Sequence, residues 1–174
     1  AIGVPEGADP SKVWHMLVTA RAKEGGDVRT RGVMGHATST NLRDWTVQPP
    51  LSQPNQGFGQ QEVFQFEIVD GVPIVFFCCG WRELSPERLA EFGHRDATYS
   101  LVVNSDLTGM DFNQAHAFEH RLVYAARLIN GPDGWCVIGF DNFDANGEFI
   151  GELCDPIPVT ATTSQGIVAK ADFR

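Results

Sequence analysis

The sequence predicts an all-β protein, and three observations predict it. Helical periodicity is nearly absent, short β-type runs recur between turn residues, and one strand-turn-aromatic unit occurs twice. The repeat joins Ala37 to Trp45 (ATSTNLRDW) with Val102 to Phe112 (VVNSDLTGMDF). In each, a strand ends in small polar residues, a polar-Leu turn follows, and an aromatic opens the next strand. Such repetition is the mark of propeller blades; two unrelated turns of common composition are the alternative. Grouped by this unit, the strands make about three blades within a single, partial β-propeller domain covering residues 1–174.

The strands are read from period-2 patterning and punctuation. Val13 to Arg21 is the first and Gly32 to Ser39 the second; Trp45 to Val47 follows the turn Asn41 to Asp44. Glu62 to Val69 and Pro73 to Cys79 flank Asp70-Gly71, a strong hairpin signal. Tyr99 to Val103, Arg121 to Ile129, Trp135 to Phe140, Phe149 to Leu153 and Ile167 to Ala171 complete the series. Only Ser85 to Phe92 reads as a helix, with Ser85 as N-cap, Pro86 at the first position and Glu87 in the first turn.

A length of 174 residues suits one domain with a real core. Thirteen basic against 22 acidic residues give a net charge of -9, which repels phosphate backbones and anionic membranes but not neutral sugars. No apolar run approaches the roughly 18 residues that span a bilayer. No basic-then-apolar secretory signal is visible at the N-terminus, so the expected location is the cytoplasm. Cys78, Cys79, Cys136 and Cys154 lack metal-site spacing and read as free thiols, with Cys78 and Cys79 pointing to opposite faces of their strand. Asp141, Asp144, Asn146 and Glu148 miss the register of a calcium loop and read as an acidic hairpin. No phosphate loop, catalytic serine elbow or zinc cluster is present, so neither a metal nor a cofactor is expected. His94 and His120 are isolated.

A family resemblance runs through these segments. His15 to Arg21, Arg31 to Ser39, Leu42-Arg43-Asp44-Trp45, Pro49-Pro50-Leu51, Gly57-Phe58-Gly59 and Glu62-Val63-Phe64-Gln65 resemble, in order, the β-fructosidase superfamily of glycoside hydrolases. The likeness resumes at Leu122 to Leu128, Trp135, Gly139-Phe140, Phe149-Ile150-Gly151 and Asp155 to Val159. The superfamily contains invertases, levanases and levansucrases. It implies a five-bladed propeller of which this chain is the C-terminal portion, a carbohydrate ligand in the axial funnel, and retaining chemistry on fructosyl sugars of sucrose, levan or inulin type. A non-catalytic carbohydrate-binding or degenerate propeller and an arabinan- or xylan-type relative are the alternatives.

Three acids serve the family: a nucleophilic Asp, a stabilising Asp in Arg-Asp-Pro, and an acid/base Glu. The last maps onto Glu62, suited to a step that needs a carboxyl to protonate the leaving oxygen. Asp9-Pro10 lacks the Arg and reads as a hairpin turn. The nucleophile's blade is expected outside these residues, so another copy or an N-terminal segment would complete the propeller.

Further candidates for substrate binding surround Glu62. Arg21 could meet sugar hydroxyls or Glu62, or form an ion pair between blades. His36, between Gly35 and Ala37, could reach the funnel or be a satisfied core histidine. Gln65 lies three residues from Glu62, so alternation puts it on the opposite face unless a bulge intervenes. Tyr124 could offer a sugar platform; Arg127 shares its strand with the same parity difficulty and reads as structural. Trp81, before the helix, is the tryptophan placed nearest a ligand.

Overall fold

The computed structural model describes residues 13–119, 123–144 and 146–170. Asp9, His120, Arg121, Leu122 and Ala171 lie outside the described residues. The fold is all-β, built from antiparallel sheets with one short helix.

The first sheet comprises β1 (Trp14–Arg21), β2 (Gly32–Ser39) and β3 (Thr46–Gln48) in that order. The second has β4 (Glu62–Val69), β5 (Val72–Cys79), β6 (Ala97–Val102) and β7 (His116–Ala117), again in chain order. The third starts with β8 (Tyr124–Gly131) and β9 (Gly134–Phe143). Both β10 (Phe149–Leu153) and β11 (Ile157–Thr162) pair with β9, and β12 (Gly166–Ala169) pairs with β11. β10 meets residues 140–143 of β9 while β11 meets Cys136 and Val137, so the two lie end to end as one strand interrupted at Cys154 to Pro156.

Local chemistry explains several elements. Asp70 and Gly71 both take positive φ (50° and 84°), the backbone of a two-residue hairpin, and Val69 pairs with Val72 across it. Ser85 caps the helix α1 (Pro86–Phe92) by accepting the Arg88 N–H. The repeated unit has a shared backbone: Leu42 after β2 and Leu107 after β6 both sit at left-handed φ, 60° and 63°. Polar neighbours hold each turn, Asn41 Oδ1 accepting from Arg43 N and Asp44 N, and Asp106 Oδ1 from Thr108 N. The short β7 and β11 escape the sequence reading, β7 because two residues cannot show a period and β11 because Pro156 and Pro158 flank Ile157.

Two apolar layers separate the three sheets. Alternation along β5 sends Val75, Phe77 and Cys79 into one cluster with Met34, Phe58, Tyr99 and Phe112. Ile74 and Phe76 go into the other, with Val123, Leu128, Val137 and Ile157. Full burial of an aromatic such as Phe77 contributes about 1.5–3 kcal/mol, and its ring meets Phe58, Tyr99 and Phe112 at 5.1–5.4 Å between centroids. All four cysteines are free thiols, and burial pushes the Cys78 thiol up to about 11. No helix among the described residues is long and apolar enough to cross a membrane.

Strand direction orders the sheets around a common hub. β4 and β8 run parallel, with Glu62 meeting Tyr124 and Gln65 meeting Leu128. β1 runs against β4, since Thr19 reaches Gln61 and Arg21 reaches Gly59. β1 therefore occupies the place that β5 and β9 hold in their sheets. Its edge away from β2 carries no ladder partner among the described residues.

Candidate functional site

Glu62 opens β4 at the end where the sheets converge. The next residue, Val63, has φ 58°, and the register with β5 slips between Glu62, opposite Cys78, and Gln65, opposite Phe76. Three steps along β4 thus match two along β5, which is a bulge. β8 begins the same way: Ala125 has φ 47°, and the register slips between Tyr124, opposite Phe140, and Arg127, opposite Ile138.

The bulge resolves the parity difficulty. Gln65 falls on the face of Glu62, and Arg127 on that of Tyr124. Their side chains then tie the two inner strands together. Gln65 Nε2 donates to Leu128 O at 2.8 Å, and Leu128 N donates to Gln65 Oε1 at 2.9 Å. Arg127 Nη1 donates to Val63 O at 2.6 Å, inside the β4 bulge. Both residues hold the scaffold rather than face open space.

The Glu62 carboxylate is half-buried and accepts from both sides. The Tyr124 hydroxyl donates to Oε2 at 2.6 Å, and Gln60 Nε2 donates to Oε1. Burial raises the Tyr124 phenol well above its ordinary value, and the bond to Glu62 adds to the effect. It therefore stays a donor at all physiological pH.

Arg21 approaches this group without touching Glu62. Its Nη2 pairs with Glu83 Oε2 at 2.8 Å and donates to Gln60 Oε1 at 3.1 Å, while Nε donates to Gly59 O at 2.9 Å. Of the roles open to Arg21, the ion pair between sheets is the one formed, and Gln60 relays it to Glu62. Gly59 permits the close approach, because a Cβ there would lie 2.5 Å from Glu83 Oε2 and 2.7 Å from the Arg29 Cα. His36 goes elsewhere: its Nε2 lies 2.8 Å from His15 Nδ1, with the rings stacked at 5.1 Å. Partial burial, then the neighbouring His15, lowers the His36 pKa.

A cavity of about 380 Å³ opens beside Tyr124, lined by Trp81, Arg82, His94, Arg95, Asp96, Asn142, Phe143 and Asp144 in addition to that tyrosine. Asp96 Oδ1 accepts the Trp81 N–H at 3.0 Å and closes the segment between β5 and β6. A Cβ on Gly80 would lie 3.3 Å from Asp96 Oδ1 and 3.9 Å from the Tyr124 hydroxyl, so carboxylate and phenol converge on that glycine. Trp81, singled out from sequence, is thus brought together with Tyr124 and, through it, Glu62. Gln60, Arg82, Arg95 and Asp96 escaped the sequence reading, since nothing in their local pattern separates them from ordinary loop residues; His94, which reads as isolated in sequence, meets the Trp81 ring at 5.2 Å. A larger open groove, about 830 Å³, lies between β1 and β4 against Trp14, His15, Phe64, Phe66 and Leu107, away from Glu62. Among the described residues no three His, Cys, Asp or Glu side chains gather as a metal site.

No protein-family model matches the chain, and no curated protein sequence does. Solved structures do. An inulosucrase from Halalkalicoccus jeotgali bound to kestose superposes with TM-score 0.65 at 16% identity, over 88% of this chain and 46% of that one. The Bombyx mori GH32 β-fructofuranosidase BmSUC1 gives 0.60 at 13% identity, over 88% and 34%. A sucrose-6-phosphate hydrolase from Lactobacillus gasseri gives 0.55 at 15%, over 87% and 33%. The chain spans between a third and a half of the length of these structures. Such identities carry the architecture alone, and on that architecture the conclusion is plain: the chain has a β-fructosidase-like, propeller-type glycoside hydrolase fold.

Proposed function

We propose that the chain carries the acid/base half of a retaining glycoside hydrolase site for fructosyl sugars of sucrose, levan or inulin type, with Glu62 as the proton donor and acceptor. One observation carries the reading: a carboxylate at the head of an inner strand, gripped by Gln60 and by Tyr124, the latter lining a cavity with an indole in its wall. The three similar structures support it, being enzymes named for inulosucrase, β-fructofuranosidase and sucrose-6-phosphate hydrolase activity.

In the retaining mechanism, a second carboxylate attacks the anomeric carbon as the acid protonates the departing oxygen. The same residue then takes a proton from the water that releases the sugar. Glu62 suits both steps, because Tyr124 and Gln60 fix the carboxyl group, and the first of these partners lines the cavity. Releasing either bond frees an oxygen to carry the proton. Tyr124 positions Glu62 and, staying protonated, does not compete for that proton.

A second reading is a carbohydrate-binding protein without catalysis. The observation that favours it is that β8, the inner strand beside β4 among the described residues, contains no acidic residue, and neither does β1 on the other side of β4.

Fructose release from sucrose, levan and inulin, measured for the chain and for Glu62→Gln, separates the two. Loss of a positioned general acid lowers the rate by roughly 10²–10⁴-fold. Equal release by Glu62→Gln overturns the acid/base role. Sugar binding without any release supports the binding protein instead.

A further inference from the structure

The cavity beside Tyr124 holds two cations that form no ion pair among the described residues. Elsewhere in the chain, arginines near carboxylates pair with them: Arg21 with Glu83 at 2.8 Å, Arg29 with Asp27 at 2.6 Å and Arg88 with Glu91 at 3.7 Å. Arg82 and Arg95 line one cavity, yet among the described residues no ion pair involves either. In a protein with 22 acidic and 13 basic residues, a cavity where Arg82 and Arg95 match the two carboxylates of Asp96 and Asp144 in number is less acidic than the chain as a whole.

Both are held in place. Arg95 Nε donates to Phe92 O at 2.9 Å, which leaves its two terminal nitrogens for another acceptor. The Arg82 guanidinium lies over the Trp81 ring at 4.4 Å, and the His94 ring meets the same indole edge-on at 5.2 Å. The bond from Trp81 N to Asp96 Oδ1 draws together the two ends of the segment that carry these arginines.

The two acids of the cavity are already engaged. Asp96 accepts the Trp81 N–H. Asp144 accepts the N–H groups of Asn146 and Glu148 at 2.8 and 2.9 Å, and its second oxygen accepts from the Asn146 side chain.

We propose that this cavity is a subsite for an anionic sugar, a sugar phosphate or a sugar acid, with the charged group between Arg82 and Arg95 and the ring against Trp81 and the Tyr124 hydroxyl. The planar fork of each guanidinium matches phosphate or carboxylate oxygens in a way that hydroxyl groups do not. The assignment of the subsite to the leaving group rests on the acid/base reading of Glu62; the anion preference does not.

Calorimetric titration of the chain with glucose, glucose 6-phosphate, glucuronate and inorganic phosphate tests it. At least one charged sugar should bind about tenfold or more tighter than glucose, since charge-assisted bonds exceed neutral ones. Which of the two binds tighter identifies phosphate or carboxylate as the preferred group. The preference should shrink as salt is raised and disappear in the exposed pair Arg82→Ala/Arg95→Ala. Equal binding of glucose and both charged sugars overturns the proposal, as does a preference that survives the double substitution or high salt. Inorganic phosphate binding as tightly as glucose 6-phosphate would also overturn it, as an anion site that ignores the sugar. Because no hydrolysis is read, a chain that binds glucose 6-phosphate but releases no fructose would defeat the catalytic reading alone.

Discussion

The heads of β4 and β8 are two uses of one backbone device. Each inner strand opens with a residue at left-handed φ and a one-residue bulge, and each turns its first side chain toward the hub. On β4 that side chain is the Glu62 carboxylate; on β8 it is the Tyr124 phenol that holds the carboxylate. The supports differ as well. Phe77 lies across from the β4 bulge, inside an aromatic cluster with Phe58, Tyr99 and Phe112. Gly139 lies across from the β8 bulge, with the small side chains of Ala126 and Val123 packed close against it. The same strained start is thus held by a large ring in one sheet and by close backbone approach in the other. What each head presents is set by one residue, while what keeps it in place is set by its partner strand.

Removing the ring is expected to have the largest effect on stability. Phe77→Ala should cost about 3–5 kcal/mol, read by urea denaturation, because the aromatic cluster cannot collapse around alanine. The opposite change across β8 should cost less. Gly139→Ala places a Cβ 2.9 Å from the Cβ atoms of Ala126 and Val123, so the strand must shift, at about 1–3 kcal/mol. An equal cost for the two would erase the distinction between the supports.

Tyr124→Phe isolates the contact between the heads. With the hydroxyl gone, kcat for fructose release should fall roughly tenfold, with KM little changed, as expected for a lost hydrogen bond to a charged group. A purely structural tyrosine would leave the pH profile of kcat where it was, whereas a positioning one moves it.

The smallest effect concerns alkaline pH. Tyr99 and Tyr124 are the two tyrosines of the chain, and burial is the first cause raising both phenols above their ordinary value. The unfolded chain loses these protons near pH 10 while the folded chain keeps them, so the folded state binds more protons above that pH. The tyrosines' contribution is therefore whole below about pH 10 and declines as pH rises beyond it. Tyr124→Phe should reduce that decline; an unchanged slope would mean that Tyr124 ionises as easily folded as unfolded.

The sequence reveals the fold in its period-2 runs and turns more readily than the site. Asp70-Gly71 announces its hairpin because both residues tolerate positive φ, and Ser85-Pro86 announces α1 by its cap. The bulge at Val63 is hidden, since a β-branched residue is a poor candidate for left-handed backbone and only the partner strand compels it. Gln65 and Arg127 accordingly look misplaced until the register slip is seen. Glu62 was legible through its neighbours in the chain, but Tyr124 as its partner was not, because 62 residues separate them. Arg21 and His36 could be named as candidates, yet their partners, Glu83 and His15, depend on packing that no local pattern encodes.

Gln65 does for two sheets what a rung does within one. Its side-chain amide both donates to and accepts from the backbone of Leu128, so β4 and β8 stand a glutamine's length apart without merging into a continuous ladder. That spacer sets the aperture between the two strand heads. Shortening it by one methylene, as in asparagine, would narrow the hub or cut the tether. The spacing of the two strand heads is thus fixed further along each strand, at Gln65 and Leu128, than the hydrogen bond from Tyr124 to Glu62 that joins them.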